Sequence, residues 1–163
     1  MVEETLAANF YGAMNVTDAL LDRIADGGRI VLVSSGMASL SAYSRPIAAR
    51  LADAGLTRAG LIALVEEFAA DVAAGRHRQN GWPSSAYRVS KAALNALAGI
   101  LARELAPRDI RVTAVCPGWA RTRMGGRGAS RTVEKGAASI VWAATADEAA
   151  SGGFYRDGRA AKW

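Results

Sequence analysis

The chain has 163 residues, with 20 Lys plus Arg against 15 Asp plus Glu for a net charge of +5, and 51% apolar against 21% charged residues. That is the length and balance of one globular domain able to bury a core, expected to span residues 1–163. It excludes a membrane protein, since no run approaches the roughly 18 uninterrupted apolar residues needed to span a bilayer.

The acidic start, Met1-Val2-Glu3-Glu4, lacks the pattern of a secretory signal, so a cytoplasmic location is expected. One cysteine, Cys116, excludes an intrachain disulfide and a thiolate metal cluster, and no metal site is expected. A pI near 9.9 would attract phosphate-bearing partners. The arginines are scattered, however, with only a loose concentration between Arg121 and Arg131. A basic mouth for a phosphorylated small molecule fits this better than a nucleic-acid surface.

Residues 3–25 carry Leu6, Phe10, Ala13, Met14, Val16, Leu20, Leu21 and Ile24 at helical spacing, closed by Asp26-Gly27-Gly28. Asn9 is polar between Ala8 and Phe10, which on its own reads as an exposed helical residue. Arg29 to Ser34 is a short, β-branched apolar run, the signature of a strand buried on both faces in a parallel sheet. Its carboxyl end delivers Ser34 and Ser35, and in open parallel α/β sheets the ligand crevice lies at that end. Residues 37–80 read as a helical insertion on the surface, amphipathic from about 58 to 74, with a polar and mobile close over 75–80. His77, the only histidine, has no paired ligand or nucleophile and reads as a surface residue.

The central stretch is Gly81-Trp82-Pro83-Ser84-Ser85-Ala86-Tyr87-Arg88-Val89-Ser90-Lys91. Ser84 or Ser85 can cap a helix running through Arg103, with Val89, Leu94, Leu97, Ile100 and Leu101 on its apolar face. Tyr87 and Lys91 then fall at i and i+4, one above the other. An ammonium beside a phenol favours the phenolate, so the pair can place a tyrosine where it passes a proton near neutrality. The alternative is an amphipathic Tyr and a solvated Lys at a helix start. Residues 109–116 form a second strand ended by Pro117-Gly118, and a Gly- and Arg-rich loop follows to Ser130. A helix over 132–146 begins at Thr132, a last strand follows Gly152-Gly153, and 156–163 is a tail. The alternation predicts an α/β fold with a doubly wound parallel sheet.

Four segments in this order resemble the short-chain dehydrogenase/reductase family, carbonyl reductase subgroup. They are Asn9-Phe10-Tyr11-Gly12, Gly28 to Ser35, Gly81 to Lys91, and Cys116-Pro117-Gly118-Trp119-Ala120-Arg121-Thr122. The 37–80 insertion resembles the one that marks the carbonyl reductases. The resemblance implies hydride transfer from NADPH to an aldehyde or ketone. It implies Tyr87 as general acid, Lys91 as the group that lowers its pKa and holds the nicotinamide ribose, and Ser35 rather than Ser34 as the donor that polarises the carbonyl. Asn9 would complete a proton relay through water to Lys91. Pro117, Gly118, Ala120 and Thr122 would lie beside the nicotinamide and its phosphate. Trp82 and Trp119 read either as walls of an apolar substrate pocket or as core filling, and Cys116 as a buried thiol ending a strand.

The chain departs from that family at its start, with no strand, Gly-rich turn and helix to receive a pyrophosphate before Asn9. The Rossmann-like fold is therefore expected to be incomplete, with an unpaired sheet edge that invites self-association. The alternative to an active reductase is a catalytically silent fragment, or a module completed by a partner chain.

Overall fold

A computed structural model describes residues 1–163. The chain opens with α1 (Val2–Leu6), a π-helical turn (Ala7–Tyr11) and α2 (Gly12–Leu20), helical backbone throughout, and then β1 (Arg29–Val33). After two short 3-10 turns come α3 (Arg45–Leu51), α4 (Arg58–Ala73), α5 (Ala86–Glu104), β2 (Arg111–Val115) and α6 (Val133–Thr145). The chain ends on β3 (Phe154–Arg156) and β4 (Arg159–Ala160).

The sheet has the order β1-β2-β3-β4. β1 runs parallel to β2 with Arg29 opposite Arg111 and Val33 opposite Val115, and β2 runs parallel to β3. Strand alternation sends Val112 and Ala114 to one face, into the core shared with α5, and Thr113 and Val115 to the other. On that second face Tyr155 of β3 packs on Trp142 of α6, ring centroids 5.2 Å apart. Helices therefore cover both faces, as the alternation of elements predicts.

Four expectations change. β1 is an edge strand and only Leu32 of its five residues is buried, with Val33 43% exposed, so the strand is not enclosed on both faces. The insertion is not a surface appendage. Leu61, Leu64, Val65 and Phe68 of α4 join the same core cluster as α5, because its apolar residues lie on the stripe that faces that helix. Nor is its close loose. Asp71, its side chain 4% exposed, accepts hydrogen bonds from Arg76, Asn80 and the indole of Trp82. The tail also folds, as Asp157 and Gly158, both at positive φ, turn β3 back into antiparallel β4. Asp-Gly is a strong signal for such a hairpin turn.

Candidate active site

Ser85 is the cap of α5, its hydroxyl accepting from the backbone N–H of Arg88 at 3.3 Å, which settles the choice between Ser84 and Ser85. Tyr87 then sits in the first turn and Lys91 one turn on. The Lys91 ammonium lies 5.7 Å from the centre of the Tyr87 ring and donates to the carbonyl oxygen of Val33 at 2.9 Å. Burial holds the Lys91 pKa below the usual lysine range, since a charge is less well solvated there.

The end of β1 is tied to the same helix a second time. Ser34 is buried, and its hydroxyl donates to the carbonyl of Lys91 at 3.1 Å. Ser35 differs from its neighbour. Its oxygen accepts from the Met37 N–H at 3.2 Å, opening the turn Gly36–Ala38, and its hydroxyl proton has no acceptor in the protein. The turn is held on α5 by Arg88, which donates to the Met37 carbonyl at 3.4 Å. Of the two serines, only Ser35 retains a donor for a ligand.

Asn9 lies within the π-helical turn, a local widening that re-aims a side chain and is frequent at functional sites. Its amide donates to the hydroxyl of Ser90 at 3.2 Å, and Ser90 donates to the carbonyl of Tyr87 at 2.9 Å. The bonded partner of Asn9 is thus Ser90, one residue before Lys91. Asn9 and Lys91 still line one open groove of about 680 Å³, floored by β1 and walled by apolar residues of α2. Ser90, fully buried, is a site residue that the sequence reading did not single out. Its only signal was its place beside Lys91 on the inward face of the helix.

Past β2, Gly118 takes φ +75, and a Cβ there would meet the Arg131 side chain at 2.4 Å, so a side chain at this position is strained and crowded. Arg131 donates to the Pro117 carbonyl at 3.0 Å, and Ala120 forms a bridge with Arg131. Thr122 is exposed and its hydroxyl accepts from Gly125 N–H. Trp119 is 57% exposed beside this loop. Trp82 is not at a mouth but in the core, packed on Phe68 and Tyr43 with centroids 5.5 and 6.2 Å away. Of its two readings the core one holds, because Asp71 draws its indole N–H inward.

His77 is half-buried rather than on the surface, with Nδ1 unpartnered. No group of three or more His, Cys, Asp and Glu side chains is arranged to hold a metal ion, and no helix is long and apolar enough to cross a membrane. The chain thus sets the Lys91 ammonium over the Tyr87 ring and on the last carbonyl of β1, with the free hydroxyl of Ser35 two residues further along. That set can protonate an oxygen while polarising the bond that carries it.

A family profile described as enoyl-(acyl carrier protein) reductase matches residues 76–151. Carbonyl reductase [NADPH] 1 of Bos taurus is 36% identical over 170 residues, covering 99% of this chain and 61% of that protein. Among solved structures, salutaridine reductase of Papaver somniferum is similar with a TM-score of 0.86 and 34% identity, over 96% of this chain and 54% of that one. Menthone neomenthol reductase of Mentha piperita follows with a TM-score of 0.76 and 32% identity, over 96% and 52%. The chain spans about three fifths of the length of the curated relatives it matches.

Proposed function

The chain belongs to the short-chain dehydrogenase/reductase family, carbonyl reductase subgroup, and from that premise we propose that it transfers hydride from NADPH to an aldehyde or ketone carbonyl. The observation that carries the reading is the Lys91 ammonium, set between the Tyr87 ring and the last carbonyl of β1, two residues before the free hydroxyl of Ser35. Tyr87 is the general acid that delivers a proton to the carbonyl oxygen. Lys91 stands over the ring of that acid, and Ser35 donates a hydrogen bond to the oxygen as charge develops there. Asn9 and Ser90 hold the first turn of α5, and proton resupply to Lys91 comes through the groove that Asn9 shares with it.

The residues present fit the nicotinamide end of the cofactor. Lys91 spends one of its three N–H donors on Val33, leaving two for ribose hydroxyls. Pro117, Gly118, Ala120 and Thr122 form the loop that would flank the ring and its phosphate, and the crowding at Gly118 keeps that backbone bare. When bound, NADPH supplies the hydride; the protein supplies position and the proton. Trp119 is the apolar wall offered to substrate, and the setting is cytoplasmic.

The test is titration of the purified chain with NADPH by fluorescence or calorimetry at low salt. Saturable micromolar binding, with turnover lost in Tyr87→Phe while binding persists, supports the reading. Turnover that survives Tyr87→Phe sinks it.

One observation favours a second reading, in which the chain is silent until another polypeptide contributes cofactor contacts. The outer edge of β1 has no strand beside it and opens onto the apolar groove under α2. That reading expects no NADPH binding up to millimolar cofactor and self-association through the edge. A monomer by size-exclusion chromatography that melts cooperatively and binds NADPH would dismiss it.

A further inference from the structure

We propose that Cys116 is a positioning residue whose sulfur clasps the loop carrying Ser35 to the loop carrying Pro117 and Gly118. The sulfur accepts two backbone N–H groups, that of Gly36, 80 residues before it, at 3.0 Å and that of Gly118, two residues after it, at 3.3 Å. Gly36 immediately follows Ser35, whose oxygen takes the next N–H along, that of Met37. The two amides after Ser35 are therefore both committed, one fixing the hydroxyl and one fixing the loop to the neighbouring strand end.

The rest of Cys116 is immobile, which lets its side chain act as a fixed post. It is 3% exposed, its N–H donates to the Tyr155 carbonyl at 2.8 Å, and its carbonyl accepts from the Ser139 hydroxyl at 3.3 Å. Ser139 in turn accepts the N–H of Asp157, joining α6 and the β3–β4 turn to the same strand end. A sulfur is a weak acceptor with a wide reach, suited to spanning two loops that a shorter serine side chain would span less well. Sequence alone gives this residue as a filler ending a strand.

The clasp stands on geometry, while its bearing on catalysis rests on the carbonyl-reduction reading, so the test reads the two separately. Amide hydrogen exchange is measured by NMR in the full chain, in Cys116→Ala and in Cys116→Ser, which leave similar space but differ in whether an acceptor remains. Cys116→Ala is expected to speed exchange at Gly36 and Gly118 about tenfold relative to Val112 and Ala114, the factor expected from losing one hydrogen bond. Cys116→Ser should recover part of that protection. Unchanged exchange at both glycines, or an equal rise along all of β2 in both variants, would overturn the clasp and leave only packing. In the NADPH-dependent assay Cys116→Ala should lower kcat by about tenfold with KM for the carbonyl held within about twofold, and Cys116→Ser should restore part of it. Loss of protection with kcat unchanged would overturn the positioning role. Absence of turnover in the unsubstituted chain would count against the reductase reading and leave the exchange result to decide the clasp.

Discussion

Adjacent serines at the end of β1 are expected to fail in opposite ways when truncated. Ser34 is 3% exposed and its hydroxyl donates to the Lys91 carbonyl, so Ser34→Ala removes one neutral, buried hydrogen bond. Such a bond contributes about 0.5–1.5 kcal/mol net. For a chain of this size each kcal/mol moves the melting point by about 2–4 °C, giving a loss of about 1–6 °C. Ser35 holds only the Met37 amide, which can turn to water, so Ser35→Ala should change stability by no more than about 0.5 kcal/mol. Removing a donor aimed at a developing oxyanion, by contrast, costs about 10²–10³ in kcat. Thermal and urea melts paired with single-turnover NADPH oxidation read both quantities. Wild-type turnover in Ser35→Ala would refute the division of labour. So would a hundredfold loss in Ser34→Ala with its melting point unmoved.

Phe68→Ala should cost about 3–5 kcal/mol in urea unfolding, because the ring is 1% exposed and packs on Trp82; a cost below about 1 kcal/mol would return the insertion to the surface. Tyr43→Phe should be neutral or stabilising by up to about 1 kcal/mol, since the buried hydroxyl has no partner. Burial raises the Tyr43 pKa well above its ordinary value, so the native chain keeps a proton that the unfolded chain releases above pH ~10. Stability should therefore fall as pH rises past about 10, and less steeply in Tyr43→Phe; equal slopes in denaturant titrations would contradict this. Lys91 has the opposite sign. Its folded pKa is lowered, so the unfolded chain binds the proton more tightly, and stability should rise with pH towards the ordinary lysine value near 10.4. Lys91→Met should remove that rise, and a slope that persists would place its origin elsewhere.

The elements that repeat a simple period were legible in the sequence. The apolar stripe of α5, the β-branched run of β1 and the Thr132 cap, which accepts from Lys135 N–H, emerge where the spacing puts them. So does the stacking of Lys91 over Tyr87, which needs only one helical turn. What was not legible depends on contacts far apart in the chain. Nothing near Trp82 says that Asp71, eleven residues earlier, will draw its indole inward. Nothing near Asn9 says that it meets Ser90, 81 residues away. The hairpin at Asp157-Gly158 is different, since its turn signal was local and was read as tail only because the strands on either side are so short.

The open edge of β1 and the chemistry at its end are separable on physical grounds. An edge strand is ordinarily the least secure part of a sheet, yet Lys91 and Ser35 of the proposed proton donor set are referred to the end of this one. Those residues are held without an outer neighbour. The ladder to β2 fixes the strand along five paired positions, the Lys91 ammonium binds the Val33 carbonyl, and the Ser34 hydroxyl binds Lys91 in return. Ser34 N–H closes the set on the Val115 carbonyl. The carboxyl end of β1 is thus anchored from β2 and from α5, the latter through Lys91, which itself lines the open groove. The bonds that hold Lys91 to Val33 and Ser35 to Met37 are made on this chain without an outer strand.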